Sequence, residues 1–383
     1  MLTFWPLVFY GLGVIVGAGI YVAIGAVIER AGSAAPMSFL LAGVAAGVTG
    51  LCYAELASRF PEAAGAVSYV RHGFGSDRLA LITGVALTVA VVVAAASIAR
   101  GSVHYLAALL PLSAPLLMTL LISGFTLIAV VGVGTSVGLA ATLGALEIAG
   151  LLAAAAAGFL AAPEYHLRGI LPSDLAGWHG ALAGAFIAFF AFIGFESLAN
   201  LAEEVTDPQR TLPRAILGAI GASIALYVMV ATAAVLAHRP AGNPLLGLFD
   251  GTGASLFALV AGIAVANGVL VEIIMLARLF YGMARGGQLP AILGQVDTRT
   301  QTPILATFLA GAIVLITALS IPFEHLLVLT NTITLTVFAL VDLALWRVQR
   351  RDRLSGQQIM VPRLVPLLAA AMSMVLIGLE FLI

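Results

Sequence analysis

Three carboxylic acids stand where such a group is expensive. Glu147 lies in ALEIAGLL (145–152), Glu196 in FFAFIGFES (189–197) and Glu272 in NGVLVEIIMLAR (267–278), each inside a long apolar stretch. Ionisable groups at such depth are rare, and those that persist usually have a function. A carboxyl in a dry site can take up and release a proton as its exposure alternates, which would couple proton movement to another event. Glu147 is the leading candidate for that role. The rival reading is ligation of Na⁺ by Glu147 and nearby carbonyls. The structural alternative for each acid is a hydrogen-bonded group with no task beyond packing.

A second kind of chemistry is written in glycine. GVIVGAGIYVAIG (13–25) puts Gly13, Gly17 and Gly19 inside the first apolar segment, and Gly194 stands two residues before Glu196 in the sixth. Glycine weakens a helix interior by about 1 kcal/mol relative to alanine. If both segments break there, peptide groups come free. The N–H groups of Ala18, Gly19 and Ile20 at the restart would make an anion site suited to a carboxylate. The carbonyls of Ile15 and Val16, and those of Phe190, Ala191 and Ile193, would suit an ammonium. A zwitterionic α-amino acid offers both groups. The alternative is close helix packing through small residues such as Gly13 and Gly17. Interruptions at corresponding places in two halves of a chain favour the break, and point to a transporter site at a repeat interface.

The elements that must hold these groups are membrane helices. The 383 residues are 62% hydrophobic and 9% charged, with a mean hydropathy of +1.12; a soluble domain is nearer a quarter charged. A membrane helix needs about 20 apolar residues. Eleven segments qualify, at roughly 6–28, 36–57, 78–109, 115–133, 136–161, 179–202, 212–237, 251–285, 303–321, 325–347 and 363–382. GVGTS (132–136) reads as a tight turn between the fourth and fifth. The long third and eighth segments should tilt or protrude.

Every basic residue other than histidine is arginine. With the N-terminus inside, Arg59, Arg71, Arg78, Arg210, Arg214, Arg285, Arg299, Arg347, Arg350, Arg351, Arg353 and Arg363 fall on the cytoplasmic side, leaving Arg30, Arg168 and Arg239 opposite. That asymmetry predicts a cytoplasmic N-terminus and a multi-pass protein of the cell's cytoplasmic (inner) membrane. No basic leader or cleavage site precedes the first segment, so a retained span is expected. Cys52 is alone and forms no intramolecular disulfide.

With these features on the page, GVIVGAGIY resembles the first-helix signature of the amino acid–polyamine–organocation superfamily of permeases. SFLLAGVAAGVTGLCYAELASRFPEAAGAVSYVRHGFG (38–75) resembles its second helix and first cytoplasmic loop, FFAFIGFESLANLAEEVTDPQRTLPRAI (189–216) its sixth helix, and ARLFYGMARGGQLP (277–290) the end of its eighth. The chain is most similar to bacterial permeases of the cationic amino acid transporter type.

The resemblance implies an all-α fold with a 5+5 inverted-repeat core, broken helices 1 and 6, and alternating access around a central site. The repeats would cover about 6–161 and 179–347, with one extra helix at about 363–382, in a single transmembrane domain. Amides of Ala18, Gly19 and Ile20 would hold the substrate carboxylate, and carbonyls of Ile15, Phe190 and Ile193 its amine. Phe190 falls at the family's aromatic gate, and Glu196 at an acid linked to substrate recognition or proton sensing. Glu272 falls at a pocket-lining position, where an acid would complement a cationic side chain or share a proton with Glu196 or Glu147. Many proton-driven members carry a lysine in helix five. Here that position holds Glu147, and the chain has no lysine. The family's usual basic N-terminal tail is also missing from the sequence.

Secondary features follow. Glu203, Glu204 and Asp207 could pair with Arg59 or Arg71 as an inward gate, against a plain solvated loop. Asp342 reads as reaching the interface. His166, His179, His238 and His325 fall in or beside external loops without metal-like spacing, and His104 near the outer end of the third span.

The expected function is transport of an amino acid, by proton symport. The alternatives are amino acid or polyamine exchange and Na⁺ coupling. A membrane enzyme is disfavoured by the lack of HExxH, GxSxG or a Cys/His cluster, and a channel by the paired breaks. No cofactor, metal or nucleic-acid partner is expected; the expected partners are the substrate, H⁺ or Na⁺, and the bilayer.

Overall fold

The computed structural model describes residues 2–16, 19–62, 65–131, 133–162, 171–237, 243–285, 287–351 and 360–382, without the side chains of 133–143, Asn200, Glu203 and Ala264. Gly17 and Ala18 therefore lie outside the described residues, as do His166, Arg168, His238, Arg239 and Arg353.

The first apolar segment forms two helices, α1 (Phe4–Val16) and α2 (Gly19–Ala31). A corner leads to α3 (Ala35–Arg59), whose Pro36 sits in the first turn, where a missing N–H is harmless. The short α4 (Gly65–Phe74) precedes α5 (Asp77–Leu106), which Ser76 caps by accepting from the Leu79 N–H at 3.3 Å. Then come α6 (Ala114–Val131), α7 (Val133–Ala161) and α8 (Leu175–Ala188), which runs into two 3₁₀ segments at Phe189–Phe192 and Phe195–Glu204. The rest is α9 (Pro208–Leu236), α10 (Gly251–Arg285), α11 (Ile304–Ser320), α12 (Phe323–Arg351) and α13 (Leu364–Leu382).

Among the described residues, nine helical stretches are long and apolar enough to cross a bilayer, one of them, Gly19–Arg59, running through the α2–α3 corner. Phe4–Val16 and Ile304–Ser320 are shorter apolar helices. Taking α1 with α2 and α8 with its 3₁₀ continuation, the order reproduces the crossings read from the sequence. At 1.5 Å per residue, the 30 residues of α5 and 35 of α10 exceed a hydrocarbon core of about 30 Å. GVGTS is not a five-residue turn, because residues 133–136 already belong to α7.

Lipid is as apolar as leucine, so close packing and polar ties hold helices together in place of the hydrophobic effect. Ser38 donates to the Ala181 carbonyl at 2.8 Å, tying α3 to α8, and Ser102 to the Gly262 carbonyl at 3.0 Å, tying α5 to α10. Asn331 Nδ2 donates to the Phe186 carbonyl at 2.7 Å, pinning the last turn of α8 to α12. Tyr53 packs edge-on against Tyr69, Phe195 and Phe338. At one end of the bundle the Arg59 Nη2–Glu55 Oε1 pair, 2.5 Å apart with side chains 3% and 0% exposed, is buried. Glu55 Oε2 also accepts from Gln349 Nε2 and the Val361 N–H, at 2.9 and 2.8 Å.

Two side chains depart from the sequence reading. Asp342 is fully buried, its Oδ2 3.2 Å from Thr49 Oγ1, and does not reach the interface. Hydropathy gives depth along a helix and not which face it turns inward. The latch between the Glu203–Asp207 acids and Arg59 or Arg71 is absent among the described side chains. Arg59 is held by Glu55, Arg71 by exposed Asp77 at 2.9 Å, and Asp207 faces Arg210 at 3.7 Å. Nearby partners within a turn or two outcompete distant ones. The Glu203 side chain lies outside the described residues.

Candidate functional site

Two interruptions meet at the centre of the bundle. In the first span, α1 ends at Val16 and α2 starts at Gly19. In the sixth, Ile193 is extended (φ −62°, ψ 137°) and Gly194 has φ 123°, a region that side-chain-bearing residues rarely adopt. The chain then winds as a 3₁₀ helix for ten residues, long for that geometry. Glu196 Oε2 accepts from the Gly194 N–H at 2.9 Å, satisfying a donor that the break would strand.

The breaks face each other closely. A Cβ on Gly19 would lie 2.7 Å from Ala191 Cα and 2.9 Å from its oxygen, so only glycine lets α2 restart there. A Cβ on Gly13 would meet nothing within 4 Å among the described residues. Gly19 and Ile20 supply first-turn N–H groups, which have no partner within their own helix.

The carbonyls have company. The Tyr227 hydroxyl, from α9, lies 2.7 Å from the Ile15 oxygen and 2.8 Å from the Ala191 oxygen. A phenol has one proton, so it satisfies one of the two at a time. The Phe190 oxygen accepts from the Ile193 N–H at 3.3 Å, and the Phe190 ring is buried. Val16 is also buried.

The acids divide into two sets. Glu196 is tied to the break, and Glu272 Oε2 is enclosed without a hydrogen-bond partner among the described residues. Glu147 stands apart on α7. It is fully buried, and among the described residues neither carboxyl oxygen has a hydrogen-bond partner. Its neighbours are hydroxyls. Tyr21 donates to the Glu147 main-chain oxygen at 2.7 Å, and Tyr105 to the Tyr21 main-chain oxygen at 3.0 Å.

Sequence reasoning missed Tyr21, Tyr105 and Tyr227. Their signal is a tyrosine amid apolar residues at mid-span, as in ASIALYVMV (222–230), since a buried hydroxyl needs a partner. Among the described residues no three His, Cys, Asp or Glu side chains cluster as a metal site.

Residues 2–383 match the family described as amino acid permease. The chain belongs to that family. This permease is 31% identical over 379 residues to the vacuolar cationic amino acid transporter 2 of Arabidopsis thaliana, covering 90% of this chain and 59% of the relative. It is 31% identical to the chloroplastic cationic amino acid transporter 9 of the same plant, over 77% of this chain and 57% of the relative. To an uncharacterized transporter of Mycobacterium bovis it is 30% identical, over 79% of this chain and 70% of that protein. The permease spans about three fifths of the length of the plant relatives. Family and relatives are transporters and not enzymes.

Proposed function

We propose that this permease carries an amino acid across the cytoplasmic membrane, with its N-terminus inside, by alternating access coupled to proton symport. The observation that carries the reading is the apposition of the two breaks, with Gly19 against Ala191 and the Ile15 and Ala191 carbonyls turned to one hydroxyl. The substrate carboxylate takes the N–H groups of Gly19 and Ile20, with that of Ala18. Its ammonium takes the carbonyls of Ile15, Ala191 and Ile193, with Val16 and Phe190 beside them, displacing the Tyr227 hydroxyl. Phe190 closes over it. Two inverted repeats, about 6–161 and 179–347, rock around that centre, and α13 is the addition.

Glu147 carries the coupling proton. An enclosed carboxyl with no partner is costly when charged, and a proton removes that cost. Glu196 and Glu272 face the substrate side chain and select a cationic one. That preference is in keeping with the plant relatives, which are cationic amino acid transporters.

The test is uptake of labelled amino acids into liposomes holding the purified protein, under an imposed pH gradient. Arginine or lysine should accumulate. Glu147→Gln should abolish gradient-driven accumulation while leaving exchange. Glu272→Gln should weaken uptake of basic amino acids and spare neutral ones. Accumulation driven only by a Na⁺ gradient, or only by amino acid on the far side, overturns proton symport. Undiminished accumulation by Glu147→Gln removes the coupling assignment.

A further inference from the structure

An arginine sits within an apolar span without a counter-ion. Arg100 lies six residues before the end of α5, about 9 Å below it along the axis. Its eight preceding residues, 92–99, are all buried. Its Nε donates to the Ala318 carbonyl in the last turn of α11 at 2.6 Å, and it makes no ion pair among the described residues. Arginine within a bilayer is costly and nearly always has a partner.

The rest of the guanidinium borders a cavity of about 230 Å³, lined by Arg100, Val103, His104, Ala107, Ala114 and Met118. His104 adds an imidazole, its ring 5.9 Å from that of Phe323. Ala114 is the first residue of α6, so the positive end of that helix also borders the cavity. A guanidinium, an imidazole and a helix N-terminus converge, and no carboxylate is among the described residues lining the space. Glu324, beside Phe323, is exposed and pairs with neither Arg100 nor His104. The volume exceeds that of one phosphate group, leaving room for its ester substituents or for water.

We propose that this cavity binds a phosphate-type anion at the rim of the bundle, as carried by an acidic phospholipid headgroup or by soluble phosphate. The first source has a direct path. The α5–α6 connection lies at the end of the span opposite Arg71 and α4, where headgroups meet protein, and exposed Leu116 and Leu120 flank it on α6. Basic pockets between membrane helices bind acidic headgroups on the cytoplasmic or matrix face of membrane proteins, and the same charge chemistry would serve at this opposite face.

Native mass spectrometry of the purified full chain tests it, with phosphatidylglycerol and phosphatidylcholine added at equal concentration and inorganic phosphate as a third arm. Retained phosphatidylglycerol should exceed phosphatidylcholine. Arg100→Gln should weaken phosphatidylglycerol retention about fivefold, the effect of about 1 kcal/mol per basic residue near an acidic lipid. Arg100→Lys should recover most of it, and His104→Gln should weaken it without touching the Ala318 contact. Phosphate-31 line broadening with the same Arg100 dependence, and no lipid preference, assigns the site to the soluble anion. Equal retention of both lipids with no phosphate binding, or retention unchanged in folded Arg100→Gln, overturns the proposal.

Discussion

The hydroxyl of Tyr227 lies 2.7 Å from the main-chain oxygen of Ile15. One helix thus reaches across to the acceptor that the proposed substrate would use, and touches Ala191 of the other break as well. Tyr227→Phe removes the one donor that the two carbonyls share, which should lower the stability of the ligand-free protein by about 1–3 kcal/mol. Saturating substrate supplies the missing donors. The variant should therefore gain more in melting temperature from substrate than the parent does. Equal gains in both would separate Tyr227 from the substrate path.

The glycines of the first span are not equivalent. Gly19→Ala drives a methyl into the Ala191 backbone, 2.7 Å away, and should abolish uptake. Gly194→Ala places a side chain at φ 123°, a strain of about 1–3 kcal/mol. Gly13→Ala meets open space and should be silent in uptake, or stabilising by about 1 kcal/mol through helix propensity. Thermal melts and uptake assays on the three variants check the ranking, and an inactive Gly13→Ala would contradict it.

Glu147 is a stability defect kept for a purpose, on the reading proposed above. Both its carboxyl oxygens are enclosed without partners. Glu147→Leu removes an orphaned polar group and should raise stability by about 1–3 kcal/mol while accumulation is lost. A destabilised Glu147→Leu protein would mean that the carboxyl holds structure together.

Glu55 is the opposite case. Its buried pair with Arg59 also receives Gln349 and the chain leading into α13. Removing one partner of a buried pair costs about 3–5 kcal/mol. Glu55→Ala should show that loss as a large drop in melting temperature, far beyond that of exposed Asp77→Ala.

The loop before α4 should respond to acid. Glu62 is held below its ordinary value of 4.5, first by the Ser68 hydroxyl and then by His72. Its contribution is complete above that ordinary value and lost as pH falls through the lowered one. His72 also stacks on Phe60, with ring centres 4.2 Å apart. Hydrogen exchange across α4 should quicken as pH drops below about 4.5, after correction for intrinsic rates, and Glu62→Gln should remove that added dependence.

The spans were legible because lipid demands about 20 apolar residues in a row, and such runs are visible without knowing any contact. The break at Gly194 was legible because glycine, then an acid, interrupts an otherwise apolar segment. Tyr227 was not, since its partner Ile15 is 212 residues away and only folding brings them together. The acid network was half legible. Type and depth of Glu147, Glu196 and Glu272 could be read, but not that Glu196 accepts from the Gly194 N–H or that Tyr21 donates to the main-chain oxygen of Glu147. Asp342 was misread because rotation about a helix axis is absent from a hydropathy pattern.

Cys52 is the single cysteine of the chain and is fully buried in α3. Fluorophores or spin labels would therefore attach to thiols engineered on the surface without first stripping the native one. A label pair bridging the ends of α2 and α13 that the Arg30–Glu380 contact at 2.8 Å joins would report, molecule by molecule, whether that contact parts during the proposed cycle.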